Sequence, residues 1–172
     1  MEHEIRIITD RLTLRPLCAK DIPQAVAGLN DYEVSKWLTV VPYPYGAPDG
    51  DEFLAYLEGR PAFEALAIIA PEGMVGVVGI GDTLGYWLAR SAHAKGYMTE
   101  AAGALVDHYF STQEADHLGS GYFTGNLASA NVLGKLGFVP DGEEQVKSRA
   151  QGIEVTLKKV VLTREAWGAR HG

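Results

Sequence analysis

Residues 84–110 combine a strand-like stretch, a short loop of small residues and the start of an amphipathic helix. Residues 84–89 have the composition of a strand, and the loop at residues 91–96 leads directly into the helix. The first turn of a helix presents main-chain N–H groups without partners and a partial positive charge, so a loop that enters it can hold phosphate. The order of these elements therefore predicts a phosphate-binding site at this loop.

The length and composition of the chain limit the number of domains and the kinds of ligand that this protein can bind. The chain has 172 residues, a single cysteine (Cys18) and a formal net charge of −7. A chain of this length favours one domain, residues 1–172, with its own core. A lone cysteine excludes an internal disulfide framework and a thiolate metal cluster, and we expect no bound metal. The acidic charge argues against nucleic acid as a partner, because such a site needs a basic footprint.

The N-terminal segment MEHEIRIITD lacks the basic and apolar regions of a signal peptide. No apolar run approaches the roughly 18 residues that a membrane-spanning helix requires. Together with the single cysteine, this predicts a reducing, cytoplasmic setting without a membrane partner. The oligomeric state stays open between monomer and homodimer.

The elements that must position the loop are predicted in the order strand, helices, three strands, helix, strand, helix, strands. Strands are predicted at 11–17, 63–70, 74–80, 84–89 and 117–124, with a terminal pair from 137 to 167. Helices are predicted at 22–29 with Asp21 as N-cap, and at 31–38, 51–60, 96–110 and 127–136. Residues 40–50 hold three prolines and two glycines and are predicted to be a loop. This order indicates a mixed α/β sheet in one domain.

Four segments in register resemble the GNAT family of N-acetyltransferases. They are RLTLRPL at 11–17, LGYWLARSAHAKGYMTEA at 84–101, NLASANVLGKLGF at 126–138 and VVLTREAW at 160–167. The likeness is greatest to the branch that contains the Rim-type ribosomal-protein N-terminal acetyltransferases. The resemblance implies a central mixed, mostly antiparallel sheet flanked by helices, with a parallel pair of strands that splay apart at the cofactor cleft.

The resemblance also implies that the loop binds the pyrophosphate of acetyl-CoA. The family's loop, Gln/Arg-x-x-Gly-x-Gly/Ala, falls on residues 91–96, where Ser91 and Ala94 replace the usual first residue and first glycine. Alanine at position 94 is unfavourable only if the main chain there needs a positive φ. The implied contacts on the strand, loop and helix start are Trp87, Leu88, Ala89, Ser91, His93, Ala94, Lys95, Gly96, Tyr97, Met98 and Thr99.

The later helix carries the remaining contacts that the resemblance implies. Asn126 and Ser129 match the family's Asn-x-x-Ser, so Asn126 would bond the pantetheine arm or simply cap the helix. Many GNAT enzymes have a tyrosine acid where this chain has Leu133. Ser129 is then the implied acid or hydrogen-bond donor to the CoA sulfur, unless it is an ordinary serine of the helix surface. Asn131 and Lys135 would approach the nucleotide end, although Lys135 is equally well explained as a solvated lysine.

The general base stays open at this point. An α-amino group has a reference pKa near 8, so a proton must leave the acceptor directly or through water. The candidates by strand or loop position are Glu52, Glu64, Asp82, Tyr86 and Tyr122. His93 lies in the phosphate loop and His108 is interpreted as structural. Of the neighbours Tyr86 and Trp87, one is expected in the core and one towards the acceptor cleft.

The resemblance thus predicts an enzyme that moves the acetyl group from acetyl-CoA to a primary amine by direct attack in a ternary complex. The acceptor would be a protein N-terminus or a small amine. A serine acyl-enzyme is not expected, because the sequence has no GxSxG elbow. The alternative is a non-catalytic CoA-binding or sensing domain on the same fold, which Ser91, Ala94 and Leu133 would favour.

Overall fold

The computed structural model describes residues 4–171, and their strands form two antiparallel sheets. In the first sheet the neighbours, in order, are β1 (Ile7–Ile8), β2 (Thr13–Pro16), β3 (Leu66–Ala70), β4 (Gly73–Ile80) and β5 (Leu84–Leu88). The second sheet contains β6 (His117–Phe123), β7 (Val139–Ser148) and β8 (Ile153–Thr163), with β8 in the middle. The α-helices are α1 (Ile22–Leu29), α2 (Tyr32–Ser35), α3 (Ala47–Leu57), α4 (Tyr97–Thr112), α5 (Leu127–Leu136) and α6 (Arg164–His171).

Helix α4 connects β5 to β6 and packs its inner face into the main core. Ala101, Ala102, Leu105 and Val106 are all fully buried there. Their spacing of three and four residues places them on one side of the helix, and the two alanines allow close packing. The segment between the two sheets is thereby fixed by burial of one face of α4, including Tyr97 and Met98 in its first turn.

The two sheets meet at β5 and β6, and beyond that point the two strands separate. Ser120 Oγ donates a hydrogen bond to the Leu84 carbonyl at 2.8 Å, and Thr83 lies beside Gly119. Thr83 is next to Gly119 and Leu84 is next to Ser120, so the two strands run in the same direction, as in a parallel pair. Within residues 4–171 no main-chain ladder joins β5 to β6, so a gap opens past Leu84. The predicted α/β class, with mostly antiparallel strands flanked by helices, is confirmed.

The C-terminal segment differs from its sequence prediction. The terminal strand pair is predicted to run through VVLTREAW to Trp167, but β8 ends at Thr163 and α6 begins at Arg164. The Thr163 hydroxyl accepts from the Ala166 N–H at 3.0 Å, which satisfies one free donor of the new helix. Arg164 donates to three main-chain carbonyls within residues 110–115 and so ties α6 to the segment that ends α4.

The N-terminal half shows three smaller differences. Helix α3 begins at Ala47, inside the predicted loop, with Pro48 in its first turn, where an N–H would have no helical partner. Asp21 precedes α1 as predicted but does not cap it, because its carboxylate accepts from Arg15 and from the Cys18 N–H. The two-residue strand β1 has no counterpart in the sequence prediction.

Candidate active site

A cleft of ≈ 1750 Å³ lies between the two sheets. At one end it is bounded by β5, β6 and the first turns of α4 and α5, and at the other by residues of α1 to α3 and of the β7–β8 hairpin. Most of the predicted contact residues line it, namely Trp87, Leu88, His93, Ala94, Gly96, Tyr97, Met98, Thr99, Asn126, Ser129, Asn131 and Lys135. Ala89, Ser91 and Lys95 do not line it.

The predicted phosphate loop enters α4 through two residues with left-handed main chain. Ala94 has φ 61° and Gly96 has φ 77°, and the helix begins at Tyr97. In the part of the chain that the structure describes, no acceptor is bonded to the N–H groups of residues 94–99. These donors therefore lie free at the positive end of α4, which is the arrangement that holds phosphate.

Side chains from turns of the first sheet fix this loop. Arg11 donates to the Lys95 carbonyl and to the Glu100 carboxylate, each at 2.8 Å, and stacks 4.8 Å from the centre of the Tyr97 ring. Lys95 and Tyr97 both donate to Glu72 at 2.8 Å. The bond from Lys95 holds the pKa of Glu72 down at about 2, so this carboxylate stays ionised. The Lys95 ammonium is engaged with Glu72, and position 95 offers the cleft only its main-chain N–H.

Strand β5 presents alternate main-chain groups to the gap. The Ala89 N–H donates to the Val75 carbonyl at 2.8 Å and so belongs to the ladder with β4. Because antiparallel pairing uses every second residue, the main-chain groups of Tyr86 and Leu88 face away from β4 and towards the gap. The Leu88 carbonyl accepts from His93 Nε2 at 2.9 Å. The His93 ring therefore supports the end of β5.

Tyr86 and Trp87 lie on opposite faces of β5, and both line the cleft. Trp87 packs against α1, where Gly28 is required because a Cβ there would lie 2.6 Å from the indole ring. Tyr86 packs against the main core and reaches across the gap to α5. Burial raises the pKa of Tyr86 to about 12, and the hydrogen bond with Ser129 lowers it in part. Tyr86 is therefore a neutral phenol near neutral pH.

The first turn of α5 places two predicted residues at the gap. Asn126 Oδ1 accepts from the Ser129 N–H at 3.3 Å, so Asn126 caps the helix and keeps its amide N–H₂ for another partner. Ser129 is 8% exposed, and its Oγ lies 2.7 Å from the Tyr86 hydroxyl. Leu133 is 1% exposed in the core. The hydroxyl groups at this point of the cleft thus come from Ser129 and from β5, not from position 133.

The residues that the sequence proposed as bases lie around the cleft and not at one point of it. Glu52, Glu64, Asp82, Tyr86 and Tyr122 all line it. Glu64 accepts from the Tyr56 hydroxyl at 3.1 Å and from Arg60 at 3.4 Å, and its hydrogen bond raises the pKa of Tyr56. Further lining residues that the sequence did not indicate are Glu33, Trp37, Phe53, Glu144, Arg149 and Lys159. They lie on six separate elements or loops, and no local sequence signal joins them.

The turn between β7 and β8 lies at the end of the cleft bounded by α1 to α3, which we name the acceptor end, and it contacts the segment after α2. The Arg149 N–H donates to the Thr39 carbonyl at 3.0 Å, and the Gln151 side chain donates to the Lys36 carbonyl at 2.9 Å. Arg149 also donates to the Val40 carbonyl at 3.4 Å. These bonds join the second sheet to the helical segment and close the cleft on this side.

Replacing Ala94 with glycine is expected to stabilise the protein by about 0.5 kcal/mol. A non-glycine residue in the left-handed region costs roughly 1–2 kcal/mol, and glycine removes that strain. Glycine also loses about 0.5–1 kcal/mol more backbone entropy on folding than alanine, which offsets part of the gain in stability. Chemical denaturation measures the change. Ala55→Gly, at an exposed position in the last turn of α3, is the matched control and should destabilise by about 0.5–1 kcal/mol. A loss of stability at position 94 of the same size as at position 55 would contradict the strained φ.

Residues 4–171 contain no group of three or more His, Cys, Asp or Glu side chains placed to hold a metal ion. None of the helices in that range combines the length and apolar character needed to cross a bilayer.

Comparison with known proteins bears on this geometry. Residues 11–139 match the family model described as an acetyltransferase (GNAT) domain. The chain is 23% identical over 158 residues to the uncharacterized N-acetyltransferase p20 of Bacillus licheniformis, which covers 85% of this chain and 89% of that protein. A GNAT-family acetyltransferase from Bacillus anthracis superposes with a TM-score of 0.80 at 19% identity, over 94% of this chain and 99% of that one. RimL, a ribosomal L7/L12 alpha-N-protein acetyltransferase in complex with coenzyme A, superposes with a TM-score of 0.78 at 20% identity, over 94% and 99%.

The family match spans most of the chain, so this protein belongs to the GNAT family of acetyltransferases. Its class is that of an acetyl-CoA-dependent N-acetyltransferase. The resemblance drawn from four sequence segments is thereby confirmed, as is the predicted kind of enzyme. The solved structures share its fold.

Proposed function

We propose that this enzyme acetylates a primary amine, at the N-terminus of a protein or on a small molecule, by direct attack of the amine in a ternary complex. The observation that carries the proposal is the gap between β5 and β6. It has the free N–H groups of residues 94–99 at one end and the Ser129 hydroxyl within it. This arrangement suits a ligand with phosphates at one end and a thioester at the other.

Each part of the gap has a role in holding acetyl-CoA. The N–H groups of residues 94–99 would bind the pyrophosphate, and the main-chain groups of Tyr86 and Leu88 that face the gap would bond the pantetheine arm. Asn126 would donate its amide N–H₂ to the same arm. Lys135 and Asn131, which are exposed on the next turns of α5, would approach the nucleotide.

The chemistry forms an N–C bond and breaks the C–S bond of the thioester. An N–H of β5 that faces the gap would polarise the carbonyl, and Ser129 would donate a hydrogen bond to the sulfur as it leaves with the electron pair. The amine loses one proton, which passes directly or through water to a carboxylate of the acceptor end. No covalent enzyme intermediate is required.

The charge at the acceptor end supports a cationic acceptor. Carboxylates outnumber cations among the residues that line this end: Glu33, Asp49, Glu52, Glu64, Asp82 and Glu144 against Arg90, Arg149 and Lys159. The net charge of −7 would steer an ammonium group in the same direction. The name of the structural relative RimL, a ribosomal L7/L12 alpha-N-protein acetyltransferase, supports a protein N-terminus as one such acceptor.

Acetyl-CoA is expected to stabilise the folded protein. A ligand at 100 times its dissociation constant raises the free energy of unfolding by about 2.7 kcal/mol. Thermal unfolding with and without millimolar acetyl-CoA measures this, and free CoA should give a comparable shift because the phosphates supply most of the contacts. An unchanged unfolding temperature with both ligands would contradict the proposed cofactor site.

Turnover separates the enzyme from a binding domain on the same fold. Acceptor peptides with free N-termini, polyamines and aminoglycosides are incubated with acetyl-CoA, and free CoA release is followed. We expect release with at least one class of amine, and none with the same peptide after N-terminal acetylation. Stabilisation by acetyl-CoA without release for any amine would instead support the non-catalytic binding domain.

A further inference from the structure

The hydroxyl groups of Tyr86 and Ser129 form a direct hydrogen bond across the gap between the two sheets. The residues are 43 positions apart in the chain, and their oxygens are 2.7 Å apart. Tyr86 comes from β5 and Ser129 from the first turn of α5, so the bond joins the two sides of the cleft. Both residues line the cleft itself.

Two hydroxyl groups have two protons to donate, and the bond between them uses only one. Ser129 is 8% exposed, and within residues 4–171 its Oγ has Tyr86 as its hydrogen-bond partner. When Tyr86 donates to Ser129 Oγ, the serine proton is free to turn to a third acceptor. The tyrosine oxygen also lies 3.5 Å from the Ser129 carbonyl, so among the described residues the acceptors for the phenol proton lie on this turn of α5.

We propose that Tyr86 is a positioning residue, which donates its hydroxyl proton to Ser129 Oγ and thereby directs the Ser129 hydroxyl towards the sulfur of CoA. The inference rests on the proposed function, since it concerns the thioester bound in this gap. It gives the chain a tyrosine in the reaction although Leu133 occupies the family's usual tyrosine position. The tyrosine acts from the strand and through the serine, not from the helix.

The pair supplies a hydrogen bond and not a proton. When the C–S bond breaks, sulfur leaves with the electron pair as a thiolate, whose reference pKa is about 8.5 if it behaves like cysteine. Ser129 stabilises that charge by donating, and Tyr86 strengthens the donation by bonding the serine oxygen. The high pKa of Tyr86, about 12, agrees with this, because the phenol keeps its proton throughout the reaction.

The test compares Tyr86→Phe, Ser129→Ala and the double variant by steady-state kinetics with the best acceptor amine. We expect Tyr86→Phe to lower kcat by about 3–10-fold, the effect of one hydrogen bond, with KM for acetyl-CoA unchanged within about twofold. In the Ser129→Ala background the same change should have no further effect. Tyr109→Phe, which removes a phenol hydroxyl from α4 outside the cleft, should match wild type.

The double variant distinguishes positioning from packing. A structural role for Tyr86 would lower kcat by the same factor whether or not Ser129 is present. A loss in Tyr86→Phe as large as in Ser129→Ala, with a further loss in the double variant, would show direct donation from Tyr86 to sulfur. Either result, or full activity in Tyr86→Phe, overturns the inference and leaves the proposed function standing. A wild-type enzyme that releases no CoA with any amine overturns both.

Discussion

Replacing Gly96 with aspartate is expected to weaken acetyl-CoA binding by at least about 100-fold while the chain stays folded. Gly96 has φ 77°, and aspartate is among the residues that tolerate this region. A Cβ there would meet only the Arg11 guanidinium, at 3.4 Å, so the side chain has room. The new carboxylate would stand among the N–H groups meant for phosphate, and two like charges about 5 Å apart repel by roughly 3 kcal/mol at an effective dielectric of about 20.

Titration calorimetry with acetyl-CoA measures the loss, and Gly96→Asn is the matched control. Asparagine has nearly the same size, accepts the left-handed region and carries no charge, so its loss should be nearer tenfold. The difference between the two variants is the contribution of charge. Wild-type affinity in Gly96→Asp would mean that the phosphates bind elsewhere on the molecule.

Replacing Ser129 with alanine is expected to lower kcat by roughly 10–100-fold. General acid assistance typically contributes about 10²–10⁴-fold, and a hydroxyl, as a weak acid, should fall at or below the low end of that range. The substitution removes one oxygen at a site that is 8% exposed, and Tyr86 keeps access to the cleft. KM for acetyl-CoA should change little, because the bond to sulfur strengthens mainly in the transition state.

Ser111→Ala provides the control for this variant. Ser111 is also a helical serine, but its hydroxyl donates to the Asp107 carbonyl on α4, away from the cleft. It should keep the wild-type kcat. Activity of Ser129→Ala within about twofold of wild type would mean that the thiolate leaves unaided, and Ser129 would then be a residue of helix packing alone.

The parts of the fold that follow from local pattern were predictable. The strands and helices from residue 63 to residue 136 are found near their predicted places, because periodicity and turn residues there agree. The segment VVLTREAW misleads, since only its first half, up to Thr163, is strand. What turns Arg164 into the start of a helix is its bonding to carbonyls within residues 110–115, about fifty positions earlier. A tertiary contact of this kind leaves no trace in the local pattern.

The candidate site likewise contains features that the local sequence predicts and features that it does not. The loop at residues 91–96 and the Asn126 cap are local motifs, and the sequence indicated both. The left-handed φ of Ala94 was not predictable, because it follows from how Arg11 and Glu72 hold the loop from other parts of the chain. The contact between Tyr86 and Ser129 depends on how far β5 and β6 diverge. That divergence is set by packing of whole elements.

The separation of β5 from β6 also determines which strand edges the molecule exposes on its outside. An edge strand with unpaired main-chain groups is a template for pairing with another chain. Here the inner edges of both sheets face each other across the cleft. The outer edges are β1, which is only two residues long, and β7, which carries Glu143, Glu144 and Lys147. Short and charged edges resist such pairing, so the edges left open for recognition are those that a neighbouring sheet cannot easily reach.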